Sequence, residues 1–226
     1  MVRVRIDPRD QRGRLKSRFS HPPSTDRREV ERRTSVPWVF GYGSLVDRES
    51  LQASLGRPVN ADDGPFPARL PRYQRSWNLA AHSSRRPEFV LVSAEDGRQW
   101  SGDVVFLGIE PSTDSSALGA LYRICEADLA ILDHRELSYD RLVRTVELER
   151  PLHGQDRLDA FVYIPKSAAQ DNAARVGSEG VIMARYIRLV DRAFRALGPR
   201  IYNEHAATMP DTHPFTVREI IREPAS

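Results

Sequence analysis

The feature that most constrains the fold is a short apolar run closed by glycine, at residues 38–41 (WVFG). Its β-forming side chains and its short length predict a first strand that is buried. Residues 47–55 follow with a helical pattern, which Gly56 and Pro58 end. The chain is therefore expected to pass from a buried strand into a helix through the few residues that separate them.

After this unit the pattern mixes strands and helices without a regular alternation. Strands are predicted over residues 72–81, 89–93, 100–107, 117–124, 141–149 and 158–164, and helices over residues 126–136 and 181–197. Four prolines between residues 58 and 71 predict a winding connection before these strands, and Ser178 is a candidate cap for the last helix. This order predicts an α+β fold whose mixed, mostly antiparallel sheet curls into a small barrel with flanking helices.

The positive charge of the chain is concentrated at one end. The formal net charge is +3, but residues 1–34 hold ten arginines and one lysine against five acidic residues. That segment therefore carries +6, and residues 35–226 carry −3. Because residues 1–34 contain few large apolar side chains, they cannot bury enough surface to offset the entropy lost on ordering. We predict a flexible basic arm over residues 1–34 and a single folded domain over residues 35–226.

The basic arm has two interpretations. A polybasic segment can bind RNA, anionic lipid or an acidic partner, whereas a solvated tail has no partner. A nucleic-acid-binding fold needs its positive charge on a folded face, and residues 35–226 are acidic overall. The charge distribution therefore does not favour a nucleic acid as the partner of the folded domain.

The composition predicts a cytoplasmic protein without a membrane span. Charged residues interrupt every apolar run before it reaches the ~18 residues that a span requires, and residues 1–8 lack the apolar core of a secretory signal. The single cysteine, Cys125, excludes an intrachain disulfide and a cysteine-based zinc cluster. The sequence makes no prediction of the oligomeric state.

The sequence lacks the familiar motifs for metal, nucleotide and nucleophile chemistry. Its six histidines form no His-x-x-x-His pair. Gly41 and Gly43 are not followed by the third glycine of a dinucleotide fingerprint or by the lysine of a P-loop. Ser44 does not lie in a Gly-x-Ser-x-Gly nucleophile elbow, since residue 46 is valine. We therefore predict neither a metal nor a cofactor.

The first candidate site is the loop from Gly41 to Leu45. Glycines on both sides of Tyr42 allow a tight turn and the close approach of a ligand to the backbone. Because the loop opens onto a helix start, its unpaired N–H groups are expected to point into one concavity, which suits an anion or a developing oxyanion. The alternative is a plain strand-to-helix turn that needs glycine only for packing.

The second candidate is Glu136, at the end of the helix predicted over residues 126–136. Leu129, Leu132 and Glu136 fall on one helical face, so this carboxylate shares a face with two leucines. A carboxylate in apolar surroundings is costly unless it is paired or neutral part of the time, and desolvation favours its neutral form. Glu136 is therefore a candidate general acid and base. The alternative is a glutamate at the helix end that forms an ion pair with Arg135, Arg141 or Arg144.

Together the two candidates resemble a known family, the gamma-glutamylcyclotransferase superfamily, which includes the ChaC-like enzymes. The segment at residues 39–45 (VFGYGSL) resembles the substrate-loop signature of this family, and residues 132–136 (LDHRE) resemble the motif that ends in its catalytic glutamate. Residues 102–106, 119–122, 160–163 and 180–186 are similar to its intervening strands, closing strand and helix. The resemblance covers roughly residues 36–198.

The resemblance implies an enzyme of the carbon–nitrogen lyase or acyltransferase type. The α-amine of a γ-glutamyl group would attack its own side-chain carbonyl and release 5-oxoproline together with an amine or amino acid. Glu136 would transfer the protons, and the residues that bind substrate would be Tyr42, Gly43, Ser44, Leu45 and Tyr139. The partner would be a small γ-glutamyl molecule, with glutathione, γ-glutamyl dipeptides, γ-glutamyl amines and biosynthetic intermediates all open. The alternative is a catalytically inactive binding or interaction module of the same fold.

Overall fold

A computed structural model describes residues 37–85 and 89–224 of the chain. The arm predicted over residues 1–34 lies outside the described residues and stays a prediction. The strands are β1 (Trp38–Gly41), β2 (Phe66–His82), β3 (Phe89–Ser93), β4 (Gln99–Trp100), β5 (Asp103–Arg123), β6 (Tyr139–Leu152), β7 (Gln155–Pro165), β8 (Val181–Met183), β9 (Thr216–Arg218) and β10 (Ile220–Pro224). The helices are α1 (Arg48–Leu55), α2 (Glu126–Arg135), α3 (Ser167–Val176), α4 (Ala184–Ala196) and α5 (Pro199–Thr208).

Five of the strands close into a ring. β1 pairs with β5 in antiparallel fashion on one side and with β7 in parallel fashion on the other. The ring continues from β7 to β6, from β6 to β2 and from β2 back to β5, and these pairings are all antiparallel. Beyond it β8 and β9 extend the sheet, while β10, β3 and β4 form a second, smaller sheet. The predicted α+β class and mixed, mostly antiparallel sheet are confirmed, and the predicted curling takes the form of this closed ring.

β1 holds the start of the glycine loop in place because it is enclosed on both faces. Val39 packs into an apolar cluster with residues of α1, α2 and α4, and Phe40 packs into a second cluster made by the strands of the ring. Opposite them β5 carries Gly119, where a Cβ atom would lie 2.1 Å from the carbonyl oxygen of Gly41. The two strands therefore approach each other more closely than any side chain at position 119 would permit.

The long strands of the ring differ from the prediction in two places. The connection expected across the prolines is in part strand, because β2 already begins at Phe66 and contains Pro67 and Pro71. A register shift follows Pro71, at Arg72, whose φ of 63° interrupts the regular pairing; such an irregularity lets a strand contain a residue that lacks a ladder donor. The separate strands predicted over residues 100–107 and 117–124 are joined by a single strand, β5.

The helices toward the carboxyl terminus also differ from those predicted from the sequence. Residues 181–183, predicted as the start of a helix, form β8, because they pair with β5 at Val104 and with β9. α4 therefore begins at Ala184 with Met183 at its N-cap, and Ser178 does not cap it. Helices α3 and α5 were not predicted. In the part of the chain that the structure describes, no helix has both the length and the apolar character needed to cross a membrane.

α2 is fixed at its amino-terminal end by a buried carboxylate. Asp128, which is 2% exposed, accepts a hydrogen bond from the Cys125 N–H over 2.8 Å. It also forms an ion pair with the guanidinium of Arg57, whose Nε lies 3.0 Å from its Oδ1. A carboxylate in the first turn of a helix satisfies free N–H groups and complements the helix dipole. This anchor sets where the other end of α2, and with it Glu136, comes to lie.

Candidate active site

The loop after β1 is a tight turn that leads into α1. Residues 44–46 form a single 3₁₀ turn, in which the Val46 N–H donates to the Gly43 carbonyl over 3.0 Å. Since this is the first hydrogen bond of the turn, no bond within the turn uses the N–H groups of Ser44 and Leu45. The backbone of Ser44 instead forms a hydrogen bond with the Tyr186 hydroxyl. The hydroxyl of Tyr122 donates to the Val46 carbonyl over 2.7 Å and holds the turn against the core.

Both glycines of the loop are required by close contacts. A Cβ atom on Gly41 would lie 2.6 Å from the Cβ of Leu45, because the chain folds back on itself here. A Cβ atom on Gly43 would lie 2.8 Å from the hydroxyl oxygen of Tyr186, which reaches the loop from α4. Heavy atoms of side chains do not pack at these distances. Packing therefore explains both glycines, as the alternative interpretation required, and the same contacts place Tyr186 directly over the loop.

Glu136 is the residue at which α2 ends. Its N–H donates to the Leu132 carbonyl over 2.8 Å, and its own carbonyl accepts from the Tyr139 N–H over 2.9 Å, so the chain turns from α2 into β6 around it. Leu129 and Leu132 are buried on the core-facing side of the helix. The Glu136 side chain is 12% exposed and lies 3.0 Å from the Nε of Arg135. The expected helix-end ion pair is thus present, and Glu136 is also mostly buried.

The glycine loop and Glu136 meet in one cavity. It is lined by Phe40, Gly41, Tyr42, Gly43, Ser44, Leu45, Leu107, Glu136, Tyr139, Tyr163 and Tyr186. Its volume is about 30 Å³, which is room for about two ordered water molecules. A larger ligand therefore requires side chains at the cavity to move aside, and the one carboxylate among the lining residues would then face it.

Four tyrosines line the cavity together with Glu136, and the hydroxyl groups of two of them donate hydrogen bonds to other groups of the protein. The Tyr42 hydroxyl donates to the Tyr163 carbonyl over 2.5 Å. The Tyr163 hydroxyl in turn donates to Oδ1 of Asp133 over 2.9 Å. These bonds connect the glycine loop to β7 and β7 to α2, so the walls of the cavity are held together by polar contacts as well as by packing.

The phenols of the cavity are held in their protonated form. Burial raises the pKa of Tyr42 well above its ordinary value, and the Glu136 carboxylate and Tyr186 add to the rise. Burial likewise raises the pKa of Tyr139, with Tyr42 and Glu136 contributing. Burial and Glu136 raise the pKa of Tyr186, against hydrogen bonds with the backbone of Leu107 and Ser44. At neutral pH these three groups are O–H donors and not phenolates.

The structure brings together all six residues that the sequence analysis placed in a site: Tyr42, Gly43, Ser44, Leu45, Glu136 and Tyr139. Sequence reasoning missed Leu107, Tyr163 and Tyr186, which also line the cavity. The sequence places Tyr186 within the helix predicted over residues 181–197 and Tyr163 within the strand predicted over residues 158–164. Nothing local in the sequence separates a core tyrosine from one whose hydroxyl faces a cavity.

The groups that line the cavity are suited to proton transfer and to anion binding, and few of them are typical ligands of a metal ion. Among the residues that the structure describes, no three histidine, cysteine, aspartate or glutamate side chains are grouped so that they could hold a metal ion. The cavity instead combines one carboxylate with protonated phenols and with backbone N–H groups at the start of a turn. A carboxylate can accept a proton from an amine, and N–H and O–H donors can stabilise a developing negative oxygen.

Comparison with known proteins identifies the fold. No protein-family model matches the sequence, and no curated protein matches it. Among solved structures, a gamma-glutamyl cyclotransferase aligns over 81% of this chain and 94% of its own, with 13% identity and a TM-score of 0.50. A yeast gamma-glutamyl cyclotransferase specific to glutathione aligns over 72% of this chain and 88% of its own, with 16% identity and a TM-score of 0.46. The chain has the gamma-glutamylcyclotransferase-like fold, as the two motifs predicted.

Proposed function

We propose that this chain is an enzyme of the gamma-glutamylcyclotransferase type, which converts a γ-glutamyl compound into 5-oxoproline and a free amine or amino acid. The observation that carries the proposal is the shared cavity: Glu136 and the loop of residues 41–45, which are far apart in the sequence, line it together. The fold supports the same activity, since a protein named for it has a similar structure.

The γ-glutamyl end of the substrate presents two charges to this cavity. Its α-ammonium group is attracted to the Glu136 carboxylate, the one carboxylate among the lining residues. Its α-carboxylate, or the oxygen of the reacting carbonyl, suits the N–H groups of residues 42–45 and the phenol donors around them. We assign substrate binding to Tyr42, Gly43, Ser44, Leu45 and Tyr139. One oxyanion donor of this kind is typically worth roughly 3–4 kcal/mol.

The reaction balances with one proton carrier. Glu136 removes a proton from the α-ammonium group, and the amine nitrogen then attacks the γ-carbonyl carbon, so that a C–N bond forms and the carbonyl oxygen becomes an oxyanion. Glu136 passes this first proton to solvent and is ionised again, so that it can accept a second proton, from the ring nitrogen of the tetrahedral intermediate. When the intermediate collapses, the original amide C–N bond breaks, and Glu136 returns a proton to the leaving nitrogen. The products are 5-oxoproline and the free amine.

The intramolecular nature of the reaction explains why a short list of groups suffices. Nucleophile and electrophile belong to the same molecule, so the protein does not have to supply either. Well-oriented intramolecular attack reaches effective molarities of about 10⁵–10⁸ M. What the protein must do is hold the γ-glutamyl group bent, move the protons and stabilise the oxyanion, and the groups around Glu136 are suited to these three tasks.

The volume of the cavity bears on which part of the substrate it holds. About 30 Å³ is much less than the ~300–1,000 Å³ of a pocket that encloses a drug-sized ligand. We therefore expect the γ-glutamyl end alone to enter, after lining side chains have moved, and the leaving amine to lie toward solvent. The leaving group remains open among glutathione, γ-glutamyl dipeptides, γ-glutamyl amines and biosynthetic intermediates. A single thiol, Cys125, fits a reduced, cytoplasmic setting for this activity.

The second candidate function is a binding or interaction module that has kept the fold without turnover. The observation that favours it is the ion pair between Glu136 and Arg135 at 3.0 Å, because an engaged carboxylate is less free to act as a base. The two functions separate in one experiment, since a binding module retains γ-glutamyl compounds unchanged and an enzyme releases 5-oxoproline from them.

A substrate panel tests the proposal. The purified chain is incubated with glutathione, γ-glutamyl dipeptides and γ-glutamyl amines, and 5-oxoproline is measured by mass spectrometry against a blank without protein. We expect at least one class to yield 5-oxoproline and the free amine in equal amounts. If every class is returned intact while calorimetry shows that one binds, the binding module is the correct function.

A further inference from the structure

The guanidinium of Arg135 contacts both Glu136 and the glycine loop. Its Nε lies 3.0 Å from Oε1 of Glu136. Its Nη2 donates to the Ser44 hydroxyl over 2.8 Å, and its Nη1 donates to the Ser54 hydroxyl over 2.6 Å. The side chain is 20% exposed. One planar group thus connects the end of α2 with the glycine loop and with α1.

The contact with Ser44 has a consequence for where the serine proton points. A serine hydroxyl has one donor hydrogen and two acceptor lone pairs. When Arg135 occupies a lone pair of Ser44, the hydroxyl hydrogen is left for another acceptor. In the described part of the chain this hydroxyl donates to no protein group, and Ser44 lines the cavity. An anionic group of a ligand in the cavity is the acceptor that fits.

The other ion pairs of α2 do not make this connection. Arg57 binds Asp128 at the opposite end of the helix, and Arg141 binds Asp133 on its exposed side over 2.8 Å. Neither reaches the loop of residues 41–45 by a hydrogen bond within the described residues. Arg135 is also held from behind by α1, through Ser54, so its position is fixed independently of Glu136.

We propose that Arg135 is a positioning residue, which sets the Glu136 carboxylate and the Ser44 hydroxyl at a fixed distance from each other in the wall of the cavity. The inference rests on the proposed function, because it assigns the two groups to neighbouring charged groups of one γ-glutamyl moiety: Glu136 to the ammonium group and Ser44 to an anionic oxygen. Arg135 itself does not touch the substrate. Its rigid planar fork supplies these N–H contacts from three separate nitrogens, whereas the donors of a lysine ammonium group all diverge from one nitrogen.

If Arg135 has this role, the rate of the reaction should depend on both the shape and the charge of the side chain at position 135. Misplacing a reacting group by about 1 Å can cost on the order of 10²-fold in rate. We therefore expect Arg135→Gln to lower kcat by about 10²-fold and to change KM much less. A cation beside a carboxylate favours its ionised form, so the acid limb of the kcat/KM profile should move to higher pH in Arg135→Gln. In Arg135→Lys the limb should stay in place while kcat still falls, since charge is retained and the fork is lost.

The experiment compares these variants with a matched arginine. Arg192→Lys removes a fork that binds Asp47 over 2.9 Å, beside the same helix α1 but outside the cavity lining, and should leave kcat and the pH profile unchanged. Ser54→Ala removes the closer of the two α1 hydroxyls that Arg135 contacts, at 2.6 Å against 3.4 Å for Ser50, without touching Glu136 or the cavity, and should lower kcat by less than Arg135→Gln does. Thermal unfolding of each variant establishes that it is folded; if Arg135→Gln is not, Arg135→Lys and Ser54→Ala decide the question.

The outcomes separate this inference from the proposed function. Loss of kcat in Arg135→Lys and Ser54→Ala, with Arg192→Lys at the parental rate, supports it. If Glu136→Gln is inactive but folded Arg135→Gln keeps the parental kcat and acid limb, Arg135 is not a positioning residue although the proposed function stands. If the parent releases no 5-oxoproline from any γ-glutamyl compound, both are overturned.

Discussion

The hydroxyl oxygen of Tyr186 lies 2.8 Å from the point that a Cβ atom on Gly43 would occupy. Helix α4 therefore closes over the glycine loop with no spare room, and the side chain that fills the space is one whose proton is retained at neutral pH. The tightness of this contact makes the loop sensitive to changes that would be harmless in an ordinary turn.

Adding a side chain at Gly43 should impair the site through Tyr186. Gly43→Ala places a methyl group against the Tyr186 hydroxyl, and we expect kcat/KM to fall by about 10–100-fold as the loop or the phenol shifts. Gly43→Val, with a larger side chain, should abolish activity. Tyr186→Phe removes the colliding oxygen. Adding Gly43→Ala to the Tyr186→Phe protein should therefore lower kcat/KM by a smaller factor than adding Gly43→Ala to the parent does. Equal losses in both comparisons would contradict this contact.

A side chain at Gly119 should also be harmful, but here the property that suffers is the stability of the ring of strands. A Cβ atom there would lie 2.1 Å from a backbone oxygen of β1 and 2.5 Å from Cζ of Phe40. Backbone in a closed ring cannot move aside without loss of pairing, so Gly119→Ala should lower the free energy of unfolding by about 3 kcal/mol or more. Urea unfolding measures the effect, and Ser116→Ala, at an exposed position of the same strand, is the control. A Gly119→Ala protein as stable as the control would show that β1 and β5 are not packed this closely.

His205 should make the stability of the protein depend on pH. It is 3% exposed, its Nδ1 lies 2.7 Å from Nη1 of Arg75, and its ring stacks on Phe194. Burial, with the Arg75 charge adding, lowers the pKa of His205 from 6.5 to about 4. Below pH 6.5 the unfolded chain therefore binds a proton at His205, whereas the folded chain does not bind it until the pH falls to about 4.

The sign of the effect follows from this linkage. Above pH 6.5 neither state holds the proton and the group contributes no pH dependence. As the pH falls toward 4 the unfolded state is favoured, by at most about 3 kcal/mol. Urea unfolding at a series of pH values should show this loss in the parent and in His213→Gln, an exposed control, and a smaller loss in His205→Gln. A parental slope in folded His205→Gln would assign the pH dependence to other groups.

The sequence was sufficient for the parts of the fold that are specified locally. The run at residues 38–41 and the helix that Gly56 ends were predicted because apolar spacing and a left-handed glycine at φ 65° are local signals. The apolar residues 181–183 fit a helix or a strand equally well. Only their pairing with β5 and β9 makes them a strand, and that pairing depends on the rest of the fold.

The candidate site likewise has residues that the sequence predicts locally and residues that only the fold brings in. Two sequence motifs contain five of the six predicted residues, and Tyr139 lies three residues beyond the second motif, so a resemblance to a family was enough to name them. Tyr163 and Tyr186 line the cavity only because the ring closes and α4 packs on the loop, which are events that no local pattern encodes. Arg135 was considered only as a partner that would neutralise Glu136. Its contacts with Ser44 and Ser54 depend on how α2 and α1 meet.

The role of Glu136 is tested most directly by a comparison of the glutamates at the two ends of α2. Glu136→Gln removes the carboxylate from the cavity with almost no change in shape, and Glu126→Gln makes the same change at the exposed start of the helix. With both variants shown to unfold at the parental temperature, each is assayed for 5-oxoproline release from the best γ-glutamyl substrate. We expect the parental kcat for Glu126→Gln and a loss of about 10²–10⁴-fold for Glu136→Gln. Parental turnover by Glu136→Gln would contradict this role.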